Sequence, residues 1–350
     1  MNHKMNILIT SIGQRGYLID HFRKSASSSF GIYAADATPF APAAQLADKA
    51  FVLPMASHPK YRDCLLDICL SNDIVGILSI NDQELTILAA NRNLFESYGI
   101  QIIVSTPNVI DICFDKYKTY QFCIKHQINV PETFLWSQYN ELLSAIESGL
   151  ISLPIIAKPR KGSRSIGIRT INTKQQLEIT IREMEVSPLP EDEKLIFQEF
   201  IDSDQFSIHV FNNESLHPCR VVTMVNIIKH LGETFHIETY RDKSLSLLGK
   251  RIGECLGHLG PLSADVHQRN NGEYVVLEFN PRISGCYSLS HYSGADFPGL
   301  ILKLIKRESI PVDNYDIFEE DVVMLKMFTT MKTSRKDILS HIANQEYFEV

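Results

Sequence analysis

Short apolar runs alternate with amphipathic stretches over the first third of the chain. The runs at residues 6–10, 31–35, 74–80 and 101–104 predict buried strands. The stretches between them predict helices, one ending near Lys24, one after His58 and one over residues 82–98. Because strands that alternate with helices form parallel sheets, we expect an α/β domain here.

The pattern changes after Pro131, where extended segments outnumber helical ones. A helical connector over residues 108–126 precedes the change. The predicted strands then lie at 155–158, 167–171, 195–200, 206–211, 221–228, 262–267 and 274–280, and a helix at 241–259 interrupts them. This second region therefore predicts an α+β arrangement. The tail after Pro311 holds an apolar run, VVMLKMF, that does not predict a particular structure.

Composition narrows the class of protein. The chain has 350 residues, 44% of them hydrophobic, and a net charge of −7, which argues against a basic footprint for nucleic acid or an anionic membrane. Its seven cysteines include no CxxC pair and predict reduced thiols in the cytoplasm. No apolar run approaches the ~20 residues of a membrane helix. We expect small-molecule partners, no membrane or nucleic-acid partner, and a homodimer as the candidate assembly.

The glycines after the first predicted strand, Gly13 and Gly16, form only a fragment of a dinucleotide fingerprint. The full GxGxxG pattern is absent, so an ordinary strand-to-helix turn is the better interpretation and an NAD site is not expected.

A hairpin over residues 260–285 carries the strongest signal. Residues 271–272 are Asn-Gly, which predicts a two-residue type I′ turn. Pairing outwards from this turn places Gln268 opposite Val275 and Asp265 opposite Glu278. Because side chains alternate along a strand, both carboxylates then lie on one face of the hairpin.

This face also contains Asn280, two residues after the second carboxylate. Carboxylates opposed across two strands lie about 5 Å apart and repel. A hard cation between Asp265 and Glu278 removes that repulsion, and oxygen ligands of this kind suit Mg²⁺. The alternative is a solvated polar face. The following Pro281 and Arg282 favour the metal interpretation, because Pro281 ends the strand and Arg282 can meet phosphate oxygens.

Three weaker signals lie upstream. Lys158 ends an apolar strand and precedes a loop, residues 161–167, whose glycines and serines can direct N–H groups at phosphates, although many hairpin loops share this composition. Lys116 follows Asp115, which can cap a helix, and it is otherwise an exposed lysine. Glu199 ends another apolar strand and is otherwise an exposed strand end.

In this order, these four features resemble the ATP-grasp superfamily. The resemblance is greatest to the large-chain type of carbamoyl phosphate synthase and to single-unit amino-acid ligases such as that of pyrrolysine biosynthesis. It covers about residues 5–310, and the stretch EFNPRISG carries it most specifically. It implies a pre-ATP-grasp domain over residues 1–110, a two-subdomain ATP-grasp domain over 111–312 with a lid at about 131–200, and a C-terminal extension over 313–350.

The resemblance also implies a role for each matching position. ATP phosphates would be bound by Lys116 and Lys158 and covered by a loop containing Gly162, Ser163, Ser165 and Gly167. The nucleoside would be held by Glu199, Phe200, Ile201 and Gln205. One or two Mg²⁺ ions, or Mn²⁺ in their place, would be held by Asp265, Glu278 and Asn280. Arg282 and Lys158 would be the catalytic residues. Gln205 and Asp265 depart from the family, which usually has Glu at the first position and often Glu or Gln at the second.

The resemblance implies an ATP- and Mg²⁺-dependent ligase that converts a carboxylate into an acyl phosphate and joins it to an amine, releasing ADP and phosphate. Two alternatives remain open at this point. One is a nucleotide-binding regulatory or scaffold protein without catalysis. The other is a ligase that acts on a sugar acid or a carrier-bound carboxylate.

Overall fold

The computed structural model describes residues 4–26, 28–162, 166–230 and 233–344. Over these ranges the strands form three sheets. The strands are β1 (Met5–Thr10), β2 (Phe30–Asp36), β3 (Lys49–Val52), β4 (Ile74–Ser79), β5 (Gln101–Ile102), β6 (Thr133–Leu135), β7 (Ile155–Pro159), β8 (Arg169–Ile171), β9 (Leu195–Glu199), β10 (Gln205–Asn212), β11 (Pro218–His230), β12 (Glu233–Thr239), β13 (Gly260–Gln268), β14 (Tyr274–Asn280) and β15 (Val323–Leu325).

The helices connect the strands or pack on the sheets. They are α1 (Gly16–Ala26), α2 (Tyr61–Ser71), α3 (Asp82–Ser97), α4 (Pro107–Phe114), α5 (Lys116–Lys125), α6 (Tyr139–Glu147), α7 (Lys174–Glu185), α8 (Lys243–Leu256), α9 (Tyr287–Tyr292), α10 (Phe297–Lys306) and α11 (Arg335–His341). Among the described helices, none has the length and apolar character needed to cross a membrane.

The N-terminal domain is a parallel five-stranded sheet in the order β3-β2-β1-β4-β5. This confirms the predicted parallel α/β domain. Strand β3 was not predicted, because its four residues, KAFV, begin with a charge and make too short an apolar run. The strand order reverses between β1 and β4, and ligands of such sheets bind outside the carboxyl ends of the strands at this switch point.

Two antiparallel sheets make up the second region, which confirms the α+β prediction. A four-stranded sheet has the order β6-β9-β7-β8, and a six-stranded sheet has the order β14-β13-β10-β11-β12-β15. The sequence interpretation missed helix α7, although its buried Leu177, Ile181 and Met184 follow the helical period. The predicted helical connector consists of two helices, α4 and α5, and Asp115 caps the second of them as predicted.

The turn of the β13–β14 hairpin differs from the prediction. Its loop has three residues, 270–272, closed by a hydrogen bond from the Arg269 N–H to the Glu273 carbonyl at 2.8 Å. Gln268 therefore pairs with Tyr274 rather than with Val275. A bulge at Leu277 then shifts the register by one residue, so that Asp265 faces Glu278 as predicted.

One hydrophobic core spans both domains. It includes Ile7 and Ile9 of β1, Met224 of β11, and Ile301 and Ile305 of α10. A Cβ on Gly76 of β4 would lie 2.5 Å from Ile305 Cδ1, so this close packing of α10 on the sheet requires glycine there. Helix α10 therefore packs on the parallel sheet and also contacts β13 of the six-stranded sheet.

Strand β15 comes from the tail that the sequence pattern left unassigned. It pairs antiparallel with β12, with Ile237 opposite Met324, and Met324 is buried. The apolar run in the tail is thus an edge strand of the six-stranded sheet, and it brings residues beyond position 320 close to the cavity described next.

Candidate active site

A cavity of about 860 Å³ lies where the parallel sheet meets the six-stranded sheet. The loops after β1, β2 and β4 line one side with Ser11, Gly13, Asp36 and Asn81. The predicted site residues that line it are Lys116, Gly162, Asp265, Glu278, Asn280 and Arg282. The other described site residues, Lys158, Gly167, Glu199, Phe200, Ile201 and Gln205, lie outside this lining. Ser163 and Ser165 fall outside the described residues.

The carboxylates of Asp265 and Glu278 face each other across β13 and β14. Burial raises the pKa of Asp265, and the neighbouring Glu278 carboxylate raises it further. Two facing carboxylates in a partly buried site are destabilised unless a cation lies between them. The donor set therefore fits a hard divalent cation, with the Asn280 amide as a third oxygen donor. Among the described residues, no group of three His, Cys, Asp or Glu side chains could hold a metal ion without a ligand of another type.

Two lysines, Lys116 and Lys158, lie near enough to the Glu278 carboxylate to interact with its charge. Lys158 is 6% exposed, and its Nζ donates a hydrogen bond to Gln198 Oε1 at 2.7 Å. Burial, together with the nearby Lys116 ammonium group, lowers the pKa of Lys158 to about 8, and burial also lowers the pKa of Lys116. The Glu278 carboxylate opposes both shifts, since it favours the charged form of each lysine. Two ammonium groups beside a carboxylate pair form a site suited to a metal-bound polyphosphate.

Lys116 is held in place by an ion pair that the sequence did not predict. Asp115, 1% exposed, caps α5 by accepting hydrogen bonds from the N–H groups of Tyr117 and Lys118. The same carboxylate accepts from Arg160 Nε, with distances of 2.8 and 2.9 Å to its two oxygens. Because Arg160 follows β7, this pair fixes the start of α5 against the strand that contains Lys158. Lys116 Nζ then donates to the Gly162 carbonyl at 2.7 Å.

The end of β9 differs from the predicted nucleoside site in one respect. The Glu199 carboxylate accepts a hydrogen bond from Arg269 Nη2 at 2.7 Å and another from the Glu132 N–H at 3.2 Å. It therefore ties the four-stranded sheet to the β13–β14 hairpin. Phe200, the next residue, is 39% exposed. Arg269 was not singled out in the sequence, where nothing indicated that it would meet a strand 70 residues earlier.

Arg282 joins the two domains. Its Nε donates to Asp82 Oδ1 at 2.6 Å and its Nη2 to Asp82 Oδ2 at 3.1 Å, and these side chains are only 14% and 18% exposed. The same Nη2 lies 3.3 Å from Asn280 Oδ1. Asp82 begins α3 in the N-terminal domain. Arg282 is thus placed between the carboxylate hairpin and the switch point of the parallel sheet.

Among the described residues, Arg15, Lys229 and Lys326 also line the cavity, and none of them was singled out in the sequence. Arg15 follows β1, Lys229 lies near the end of β11, and Lys326 follows β15. They come from segments that are distant in the chain, so no local motif could group them. Lys229 favours the charged form of Asp265, which indicates that its ammonium group lies close to the carboxylate pair.

Family models match both regions of the chain. Residues 7–103 match the PylC-like N-terminal domain, and residues 113–286 match an ATP-grasp domain. The carbamoyl phosphate synthase large chain of Neisseria meningitidis is 23% identical over 214 residues, which are 57% of this chain. The matched segment spans only 20% of that protein. The D-alanine–D-alanine ligase of Chromohalobacter salexigens is 24% identical over 231 residues, 61% of this chain and 71% of that one.

Solved structures share the fold at low identity. The biotin carboxylase domain of Hydrogenobacter thermophilus 2-oxoglutarate carboxylase, solved with MgADP and bicarbonate, has a TM-score of 0.72 at 13% identity, over 92% of this chain and 74% of that one. The L-amino acid ligase of Bacillus licheniformis has a TM-score of 0.63 at 18% identity, over 86% and 74%. These similarities establish an N-terminal parallel-sheet domain followed by a grasp-type arrangement of antiparallel sheets.

Proposed function

Because this chain consists of a PylC-like N-terminal domain followed by an ATP-grasp domain, we propose that it is an ATP- and Mg²⁺-dependent carboxylate–amine ligase. The reaction would form an amide or peptide bond through an acyl phosphate and release ADP and phosphate. One observation carries the proposal: the facing pair Asp265–Glu278, the lysine Lys116 and the arginine Arg282 line one cavity.

Asp265, Glu278 and Asn280 would hold Mg²⁺, with Mn²⁺ as a substitute and a second ion as a further option. A bound Mg²⁺ neutralises charge on the phosphoryl group that is transferred. Lys116 and Lys158 would bind the phosphates of ATP as fixed positive charges.

The loop from Gly162 to Gly167, with Ser163 and Ser165, would cover the phosphates. Gly167 has a φ of 77°, and a Cβ there would lie 2.9 Å from Pro159 Cγ, so the return of the loop to β7 requires glycine. The nucleoside would lie at the end of β9, against Glu199, Phe200, Ile201 and Gln205. The Glu199 carboxylate is already paired with Arg269, so we assign adenine binding there to the backbone of Phe200 and Ile201.

The half of the cavity nearest the parallel sheet would hold the carboxylate substrate and the amine. Arg15, which follows β1, lines the same cavity as Lys229 of β11 and Lys326, which follows β15 of the six-stranded sheet. The positive charge of these side chains would attract a carboxylate to the cavity beside the proposed metal site. The transferred phosphoryl group would then pass between the two sets of cations, beside Arg282, where its spreading negative charge is stabilised.

An ADP-release screen with paired carboxylates and amines tests the proposal. The expected result is ADP formation that requires a carboxylate. With hydroxylamine as the only amine, the activated carboxylate should be trapped as a hydroxamate. Binding of ATP without carboxylate-dependent ADP formation across amino acids, sugar acids and carrier-bound acids would contradict catalysis and favour the nucleotide-binding scaffold.

A further inference from the structure

A row of hydrogen bonds crosses the six-stranded sheet and ends at Asp265. Ser207 Oγ donates to Asp265 Oδ1 at 3.2 Å. Asn226 Nδ2 donates to Ser207 Oγ at 2.9 Å, and Thr234 Oγ1 donates to Asn226 Oδ1 at 3.0 Å. The row therefore passes through β12, β11, β10 and β13. Ser207 and Asn226 are buried, with exposed fractions of 3% and 9%, and Thr234 lines the cavity.

The direction of every donor in this row is determined by one backbone carbonyl. Asn226 Nδ2 also lies 3.1 Å from the carbonyl oxygen of Gln205. Because a carbonyl oxygen only accepts, the amide nitrogen of Asn226 must face it, and the same nitrogen then donates to Ser207. Thr234 must therefore donate to the amide oxygen, and the proton of Ser207 is left to point at Asp265.

We propose that Ser207, Asn226 and Thr234 form a positioning relay for the metal ligand Asp265. Each residue of the relay donates to the next, and Ser207 donates to Asp265 Oδ1. This last hydrogen bond fixes the rotamer of Asp265 and leaves its remaining lone pairs for the cation. Hydrogen bonds aligned head to tail polarise one another, so the last donor to Asp265 is strengthened. The inference rests on the proposed function, because it assumes that Asp265 binds Mg²⁺.

A hydrogen-bond donor is needed at Asp265 because its carboxylate is both buried and close to a second carboxylate. Asp265 faces Glu278 across the strands, and burial alone disfavours its charged form. A donor held on Asp265 Oδ1 stabilises the carboxylate before the cation arrives. Outer residues that orient metal ligands in this way typically contribute about 10- to 100-fold to metal affinity.

The test measures ADP affinity by calorimetry, once with Mn²⁺ and once with EDTA. The ratio of the two affinities is the gain in ADP affinity that Mn²⁺ produces. We expect Ser207→Ala and Asn226→Ala to lower this gain by about tenfold or more, with unchanged ADP affinity in EDTA. Thr234→Val, an isosteric change at the half-buried end of the row, should lower it less and keep the fold intact. Thr223→Val is the matched control, since Thr223 lies on β11 and donates to the Tyr240 carbonyl outside the relay.

Asn226→Asp separates orientation from charge. An aspartate at this position only accepts, so the Ser207 hydroxyl would turn away from Asp265 toward the new carboxylate. The relay predicts a smaller gain in ADP affinity from Mn²⁺, whereas simple attraction by an added negative charge predicts a larger one.

The outcomes distinguish this inference from the proposed function. A wild-type protein whose ADP affinity is the same with Mn²⁺ and with EDTA would contradict the metal site itself. A wild-type gain that persists in Ser207→Ala, Asn226→Ala and Thr234→Val would contradict the relay alone. A lower melting temperature with an unchanged gain would mean that these residues only stabilise the sheet.

Discussion

Replacing Arg282 with alanine should have two separable effects, because the residue has two sets of contacts. It holds Asp82 through a bidentate ion pair that joins the domains, and it faces the place where the phosphoryl group would be transferred. The alanine variant should therefore lose stability as well as turnover. The sequence predicted the contact with phosphate oxygens, and the structure adds the ion pair with Asp82.

The stability effect can be estimated from the pair. Removing one partner of a buried ion pair costs about 3–5 kcal/mol, since the other charge is left uncompensated. Here the side chains of Arg282 and Asp82 are 14% and 18% exposed, so the pair is only partly buried. Asp82 also lies in the first turn of α3, where the helix dipole stabilises a negative charge by up to about 1 kcal/mol. We therefore expect Arg282→Ala to lower the free energy of unfolding by about 2–3 kcal/mol.

The catalytic effect should be larger in kcat than in ATP binding. Charge spreads over the phosphoryl oxygens in the transition state, so Arg282 should stabilise that state more than it stabilises bound ATP. We expect ATP affinity within about tenfold of wild type, a difference of ~1.4 kcal/mol, and a kcat lower by about 10²- to 10³-fold. Lysine should restore only part of the activity, because it supplies charge without the planar fork.

The double variant Asp82→Asn/Arg282→Ala separates the two effects. It contains no unpaired carboxylate, so it should recover part of the lost stability but none of the lost kcat. Urea unfolding, ATP calorimetry and ADP release should be measured on the same preparations. Recovery of both stability and turnover in the double variant would refute the catalytic role. Unchanged stability in Arg282→Ala would refute the domain-joining role.

Three further predictions concern the metal, the phosphates and the substrate. Glu278→Gln should lose most ADP release at an unchanged melting temperature, because a neutral amide binds Mg²⁺ poorly, and near-normal turnover would contradict the metal assignment. ATP affinity should fall by up to about tenfold for each pH unit above about 8, where Lys158 loses its proton, and calorimetry from pH 7 to 9.5 showing a flat profile would contradict this. Lys326→Ala should raise KM for the carboxylate substrate about tenfold with ATP affinity unchanged, whereas Lys332→Ala, an exposed site on the same tail, should alter neither.

The local sequence pattern was sufficient to predict features that are formed by residues close together in the chain. The parallel sheet was predicted because β1, β2, β4 and β5 are each one short apolar run near helix signals, whereas β3 is too short to show this pattern. The pairing of Asp265 with Glu278 was predicted because both flank one short turn. That pairing is correct although the turn type was wrong, because the extra loop residue and the bulge at Leu277 cancel. The stretch EFNPRISG was specific enough to indicate the family, which the ATP-grasp match then confirmed.

Only the tertiary structure decided which charges meet. Arg282 and Asp82 are 200 residues apart, and Arg269 and Glu199 are 70 apart, so no period or spacing relates them. Lys326 reaches the cavity because β15 pairs with β12 as an edge strand and Met324 of β15 is buried. The short apolar run in the tail does not specify which strand it pairs with. The contact between Arg282 and Asp82 follows from how α10 and the shared core dock the two domains. Docking is governed by the combined shape of many buried side chains, whereas a sequence pattern reports only the periodicity of neighbouring ones.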